Sequence, residues 1–117
     1  MIEELSHPDL MHETATAGYK NSQLSPSERV ADLLHRMTLE EKVAQMLCIW
    51  GEKKSILFDE HGNLNYDHIA RHLPEGVGQI ARLSDTNGGM HPYDMAVLAN
   101  ELQKFFVEHT RLGIPVV

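Results

Sequence analysis

Gly76-Val77-Gly78-Gln79-Ile80-Ala81 and, further along, Ile114-Pro115-Val116-Val117 are the stretches whose reading decides the fold. Both are short apolar runs that suit buried strands, and the glycines of the first admit a neighbouring backbone at close range. Between them lie a polar loop, Arg82-Leu83-Ser84-Asp85-Thr86-Asn87-Gly88-Gly89-Met90-His91, and a long helical pattern. Pro92 sits near the helix start. Met95, Leu98, Ala99, Leu102, Phe106 and His109 fall on one face, and Gly113 fits the turn that follows. The order is strand, loop, helix, strand. A connection of that length permits a parallel crossover, which is right-handed by strong rule. Parallel strands are normally covered on both faces, and one βαβ unit cannot do this for itself. The expected fold class is therefore α/β: the start of a (β/α)₈ barrel, an incomplete barrel and not a finished domain. No internal repeat suggests a solenoid.

Working outward toward the N-terminus, residues 66–73 read as a short helix stopped by Pro74. Ile56-Leu57-Phe58 and Asn63-Leu64-Asn65 flank Asp59-Glu60-His61-Gly62 and read as a small β-hairpin. Two helix starts precede it. Ser25-Pro26-Ser27-Glu28 is a capping box with proline at the first helical position, followed by the stripe Val30, Leu33, Leu34 and Met37. Thr38-Leu39-Glu40-Glu41 is a second capping box, followed by Val43, Met46 and Leu47. Residues 1–24 are polar and aperiodic and read as an extended N-terminal arm. The domain organisation is thus an arm over 1–24 and a barrel opening over 25–117.

Ten Lys+Arg stand against seventeen Asp+Glu in 117 residues, a formal charge of −7. That balance argues against nucleic acid, which needs a concentrated basic surface, and Lys53-Lys54 is too short a cluster to change it. It leaves neutral partners such as sugars unopposed. No apolar run approaches the ~20 residues that span a bilayer, so no membrane partner is expected. The first residues have neither a positive nor an apolar signal-peptide region. Localisation stays open: cytoplasmic as written, periplasmic or secreted if the N-terminus is incomplete. The single cysteine, Cys48, lies in the apolar stretch Met46-Leu47-Cys48-Ile49-Trp50 and is expected to be a buried, inert core residue.

Three phrases carry a resemblance. Residues 29–46, Arg-Val-Ala-Asp-Leu-Leu-His-Arg-Met-Thr-Leu-Glu-Glu-Lys-Val-Ala-Gln-Met, resemble the opening of family 3 glycoside hydrolases. Gly76-Val77-Gly78-Gln79-Ile80 looks like that family's first barrel strand. Asn100-Glu101-Leu102-Gln103 with Thr110-Arg111-Leu112-Gly113-Ile114-Pro115-Val116-Val117 resembles its run from first helix into second strand. The phrases occur in the family's order over roughly residues 28–117. The resemblance implies a parent enzyme that is a retaining β-glycosidase of the β-glucosidase or β-xylosidase type, without a cofactor. Its substrate would be a β-linked oligosaccharide or an aryl or alkyl glycoside. Its chemistry would use two carboxyl groups about 5 Å apart, one a nucleophile and one an acid/base. In the family these carboxylates and an earlier sugar-binding acid all fall beyond Val117. No catalytic residue is therefore carried over, and this chain alone is expected to be inactive, with the rest of its own barrel as partner.

Barrel sites form at the C-terminal ends of strands, so the loop after the first strand is expected at the pocket rim. Arg82, Ser84, Asp85 and Asn87 are the candidate substrate-binding residues there. The bland alternative is a glycine-containing turn that satisfies its own backbone. Gly88-Gly89 has no phosphate-binding spacing. His68 and His72 share a helical face, yet lack the further ligands that a zinc site requires, so no metal is expected. His109 is expected to pack in the apolar stripe. Glu28 and Glu41 are accounted for by capping, and Met37, Met46, Phe105 and Phe106 by the core. Rival readings are a β-N-acetylhexosaminidase or glucan exohydrolase of the same family, and a non-catalytic helical interaction module in which residues 76–81 and 114–117 are not adjacent parallel strands. Unpaired strand edges and an uncovered apolar face predict aggregation or a molten state for the chain alone.

Overall fold

The computed structural model describes residues 17–117, and residues 1–16 of the expected arm lie outside that set. The chain divides into two compact units, Met1–Met37 and Thr38–Val117. In the first, a 3₁₀ turn (Gly18–Lys20) meets helix α1 (Pro26–Arg36). The expected capping box is present: the Ser25 hydroxyl accepts from the Glu28 amide (3.3 Å), and Glu28 Oε2 accepts from the Ser25 amide (2.9 Å). Asp32 on α1 accepts from the Tyr19 amide (2.9 Å), while Arg29 Nε donates to the Tyr19 carbonyl (2.9 Å). Of the apolar stripe, Val30 and Leu34 are exposed and Leu33 and Met37 half-buried, and no residue of α1 is fully buried.

The second unit holds α2 (Leu39–Gln45), β1 (Cys48–Ile49), α3 (Lys53–Leu57), α4 (Tyr66–His72), β2 (Gln79–Ile80), a 3₁₀ turn (Leu83–Gly88) and α5 (Pro92–His109). Thr38 and Glu41 form the second capping box. β1 and β2 pair in parallel, Cys48 opposite Gln79 and Ile49 opposite Ile80. On the far side of β2, the Val117 amide donates to the Gly78 carbonyl (3.1 Å) and the Ile80 amide donates to the Val117 carbonyl (2.9 Å). That staggered pair of bonds is the parallel pattern expected between residues 76–81 and 114–117, and it counts against the helical-module reading. The whole is a mostly helical α/β arrangement around a small parallel sheet.

One apolar cluster holds this unit together. Leu57, Ile69, Val77, Leu102 and Phe106 are its most deeply buried side chains, joined by Ile49, Leu73, Leu98 and Phe105. Each such burial contributes about 1.5–3 kcal/mol. α5 supplies four of the buried residues, Leu98, Leu102 and Phe106 from the predicted face and Phe105 beside it. Gln103 then clasps the extended tail: its amide donates to the Val116 carbonyl and accepts from the Val116 amide. Gly78 is required by contact, since a Cβ there would lie 2.0 Å from the Gln45 carbonyl oxygen. Gly113 is required by conformation, with φ +62°.

Several expectations are corrected. The small hairpin is shorter than expected: Ile56 and Leu57 are helical, and the two flanks pair antiparallel through the single bridge of Phe58 with Leu64, held by the Asp59 amide on the Asn63 carbonyl (2.8 Å) and the Asn65 amide on the Leu57 carbonyl (2.8 Å). The turn signal was real, because Asp59 Oδ1 accepts from the amides of His61 (2.8 Å) and Asn63 (2.9 Å). What fails is the flank: Ile56 and Leu57 are adjacent apolar residues, not an alternating pair, and Leu57 packs in the core. β1 is a strand that helical spacing concealed, since α2 ends at Gln45 and leaves Met46 and Leu47 exposed. Cys48 and His109 are exposed rather than packed, although the His109 ring lies against Phe105 at 5.4 Å.

Candidate functional site

The C-terminal ends of β1 and β2 open into two loops, and four side chains meet there. Chain leaving β1 passes through Trp50 into α3, whose first residue is Lys53. Chain leaving β2 passes through Arg82 into the Leu83–Gly88 turn, which carries Asp85. Lys53 Nζ binds Asp85 Oδ1 at 2.7 Å and donates to the Trp50 carbonyl at 3.2 Å. Arg82 Nε binds Asp85 Oδ2 at 3.3 Å, and its guanidinium lies 5.6 Å from the centre of the Trp50 ring. The two loops are thereby joined through one carboxylate.

Burial within this group is uneven. The Lys53 side chain is 8% exposed, Asp85 41% and Arg82 65%, while Trp50 is 52% exposed. The Lys53 ammonium holds the Asp85 carboxyl below the usual range for aspartate, with Arg82 adding to the effect. Arg82 has a left-handed backbone, φ +53°, among the described residues the one non-glycine with positive φ. That conformation costs of order 1 kcal/mol, and it lets the chain turn sharply out of the strand. The Asp85 amide donates to the Arg82 carbonyl (3.1 Å), and the buried Thr86 hydroxyl donates to the Leu83 carbonyl (2.7 Å), fixing the turn.

Of the sequence candidates, the structure brings Arg82 and Asp85 together. Ser84 is exposed on the same turn, and its carbonyl accepts from the Met90 amide (3.0 Å). Asn87 lies in the turn with its side chain outside the described set. Trp50 and Lys53 were missed. In sequence, Trp50 is only the end of an apolar stretch and Lys53 only half of a short basic pair. No local signal marks the first, because the strand that places it at a strand end is two residues long.

The arrangement offers an exposed aromatic ring, a guanidinium over it and a carboxylate able to accept from hydroxyls. Pocket sites for small ligands combine these same elements. Among the described residues no group of three or more His, Cys, Asp or Glu is placed to hold a metal ion. His68 and His72 meet edge to face at 5.3 Å, and His68 Nδ1 lies 3.2 Å from the Ser55 carbonyl. A second open groove, about 650 Å³, is lined by Tyr66, Glu101, Lys104, Phe105 and neighbouring helical residues, with no side chain from the strand-end loops. No described helix is long and apolar enough to cross a membrane.

Comparison with known proteins gives two relatives. A protein of Formosa agariphila that carries the provisional name beta-xylosidase is 38% identical over 105 residues, covering 89% of this chain and 13% of that protein. Beta-glucosidase C of Emericella nidulans is 32% identical over 111 residues, covering 95% of this chain and 17% of that protein. The chain therefore spans well under a fifth of the length of these curated relatives. No family model matches it. The similarity runs along nearly all of this chain, and both names denote glycoside hydrolases acting on β-linked sugars.

Proposed function

We propose that this chain is the opening segment of the (β/α)₈ domain of a retaining β-glycosidase of glycoside hydrolase family 3, acting on β-xylosides or β-glucosides. Trp50 and the turn bearing Arg82, Ser84, Asp85 and Asn87 form part of its sugar-binding rim. The observation that carries this reading is the half-exposed Trp50 ring beneath the Arg82 guanidinium at the C-terminal ends of two parallel strands. That is where α/β folds bind ligands. The names of the two relatives supply the substrate class.

In this reading the reacting carboxyl groups lie outside the chain, and its own residues bind and orient. The Trp50 ring offers an apolar face to the C–H side of a pyranose, while Asp85 and Arg82 accept from and donate to its hydroxyls. Remote sugar contacts of this kind serve the reaction when they strengthen toward the transition state. The test is hydrolysis of aryl β-xyloside and aryl β-glucoside by the full-length protein carrying this chain, with and without Trp50→Ala. Turnover with retained anomeric configuration, and a KM raised by Trp50→Ala, is the expected result. Absence of hydrolysis on both glycosides, from a folded full-length protein, would remove the reading.

A further inference from the structure

We propose that Lys53 is a positioning residue that locks the Trp50–Arg82 stack, acting through Asp85 and the Trp50 backbone. Lys53 never reaches the exposed face of the rim. Its side chain is almost fully covered, an unusual place for a lysine, which is rarely buried unless paired. It has two partners, and they belong to different loops: the Trp50 carbonyl at 3.2 Å after β1, and Asp85 Oδ1 at 2.7 Å after β2. Asp85 in turn uses its other oxygen on Arg82, whose guanidinium covers the Trp50 ring. The four residues therefore close a ring of contacts: Lys53 to Asp85, to Arg82, to the Trp50 ring, and from the Trp50 carbonyl back to Lys53.

A surface arginine alone would not stay over a ring. Exposed pairs between mobile side chains contribute little, because ordering both costs entropy. The buried ammonium changes this by fixing Asp85, so that Arg82 is oriented by an acceptor that is already held. The left-handed backbone of Arg82 is tolerated at the same place, as strain at a site that its surroundings over-determine. Lysine suits the task because its compact charge sits on a long apolar stem that the interior can bury. As a contribution to sugar binding, this rests on the rim reading above; as a statement about Trp50, it does not.

Trp50 is the one tryptophan in the 117-residue chain, so its emission reports on this ring without a sugar. Lys53→Met preserves length and apolar volume while removing the charge. In the chain, once near-UV circular dichroism and a cooperative unfolding transition show wild type and variant both packed, this variant should red-shift Trp50 emission and make it more open to acrylamide quenching. Lys53→Arg should restore part of the wild-type signal. In the full-length enzyme, Lys53→Met should raise KM roughly two- to fivefold with kcat largely retained, the size of one exposed cation–π contact. Unchanged emission and quenching in a folded Lys53→Met chain overturns the proposal. If that variant does not fold, Asp85→Ala reads the same linkage from its exposed end: altered quenching supports the lock, unaltered quenching overturns it. Altered quenching with unaltered KM supports the lock and instead removes the rim reading.

Discussion

Two ion pairs stand at opposite ends of the same parallel strands, and their burial is inverted. At the N-terminal ends, Arg111 grips Glu41 with both nitrogens, Nε to Oε1 at 2.7 Å and Nη2 to Oε2 at 2.6 Å. There the acid is buried, at 6% side-chain exposure, and the base is open, at 56%. At the C-terminal ends Lys53 holds Asp85, the base buried at 8% and the acid open at 41%. The first pair is geometrically closed: Glu41 also accepts from the Thr38 amide (2.9 Å) and caps α2, leaving its carboxylate little further capacity. The second is chemically open, with a carboxylate and a guanidinium facing outward beside an aromatic ring. In barrel-type folds, the N-terminal ends of strands serve stability and the C-terminal ends serve chemistry. Under the proposed function, the inversion corresponds to that same division, drawn in two side-chain pairs.

The comparison breaks most visibly at Arg111. Arg111→Met leaves a buried carboxylate without its cation, and stability measured by urea unfolding at pH 7 should fall by about 2–3 kcal/mol. A loss below about 0.5 kcal/mol, within the range of ordinary surface substitutions, would show the lower pair to be ornamental. The pH dependence sharpens the point. Hydrogen bonding to Arg111 pulls the Glu41 carboxyl below its ordinary 4.5. A group whose pKa is depressed by folding contributes stability above its unfolded value and loses it as pH falls through the folded one. The deficit of Arg111→Met should therefore be largest at neutral pH and shrink below about pH 4.5. A deficit that stays constant into acid would mean that packing of the arginine stem, not its charge, was lost.

How much of this was legible beforehand depends on how local the cause is. Both capping boxes, the proline starts at Pro26 and Pro92, helix α4 ending before Pro74, and the buried face of α5 were readable, because each is fixed by residues three or four apart. Glu41 shows the limit. Its capping role was read correctly, but its partnership with Arg111 joins residues brought together only by the strands. β1 was unreadable for a similar reason: two residues have no periodicity, and only pairing with β2 makes Cys48 and Ile49 a strand. Met46 and Cys48 looked like core by composition, yet both are exposed. At the candidate site, Arg82 and Asp85 were found from the loop's position after a strand. Lys53 and its neighbour form a basic pair, and nothing local marks which of the two turns inward.

The upper pair predicts the reverse sensitivity, because here removing the acid strands the buried partner. Asp85→Ala leaves the Lys53 ammonium with the Trp50 carbonyl as its remaining described acceptor, and should cost about 1–2 kcal/mol by the same unfolding assay. Lys53→Met should cost less, under about 1 kcal/mol, since it withdraws a buried charge and leaves Asp85 partly in water with Arg82 still beside it. This is the smallest expected effect and the most discriminating one. At the lower end the cation's removal should be severe; at the upper end the cation's removal should be mild while Trp50 emission changes. If Lys53→Met instead destabilised the chain as much as Arg111→Met does, both pairs would be structural clamps, and burial inversion would carry no division of labour between the two ends of the sheet.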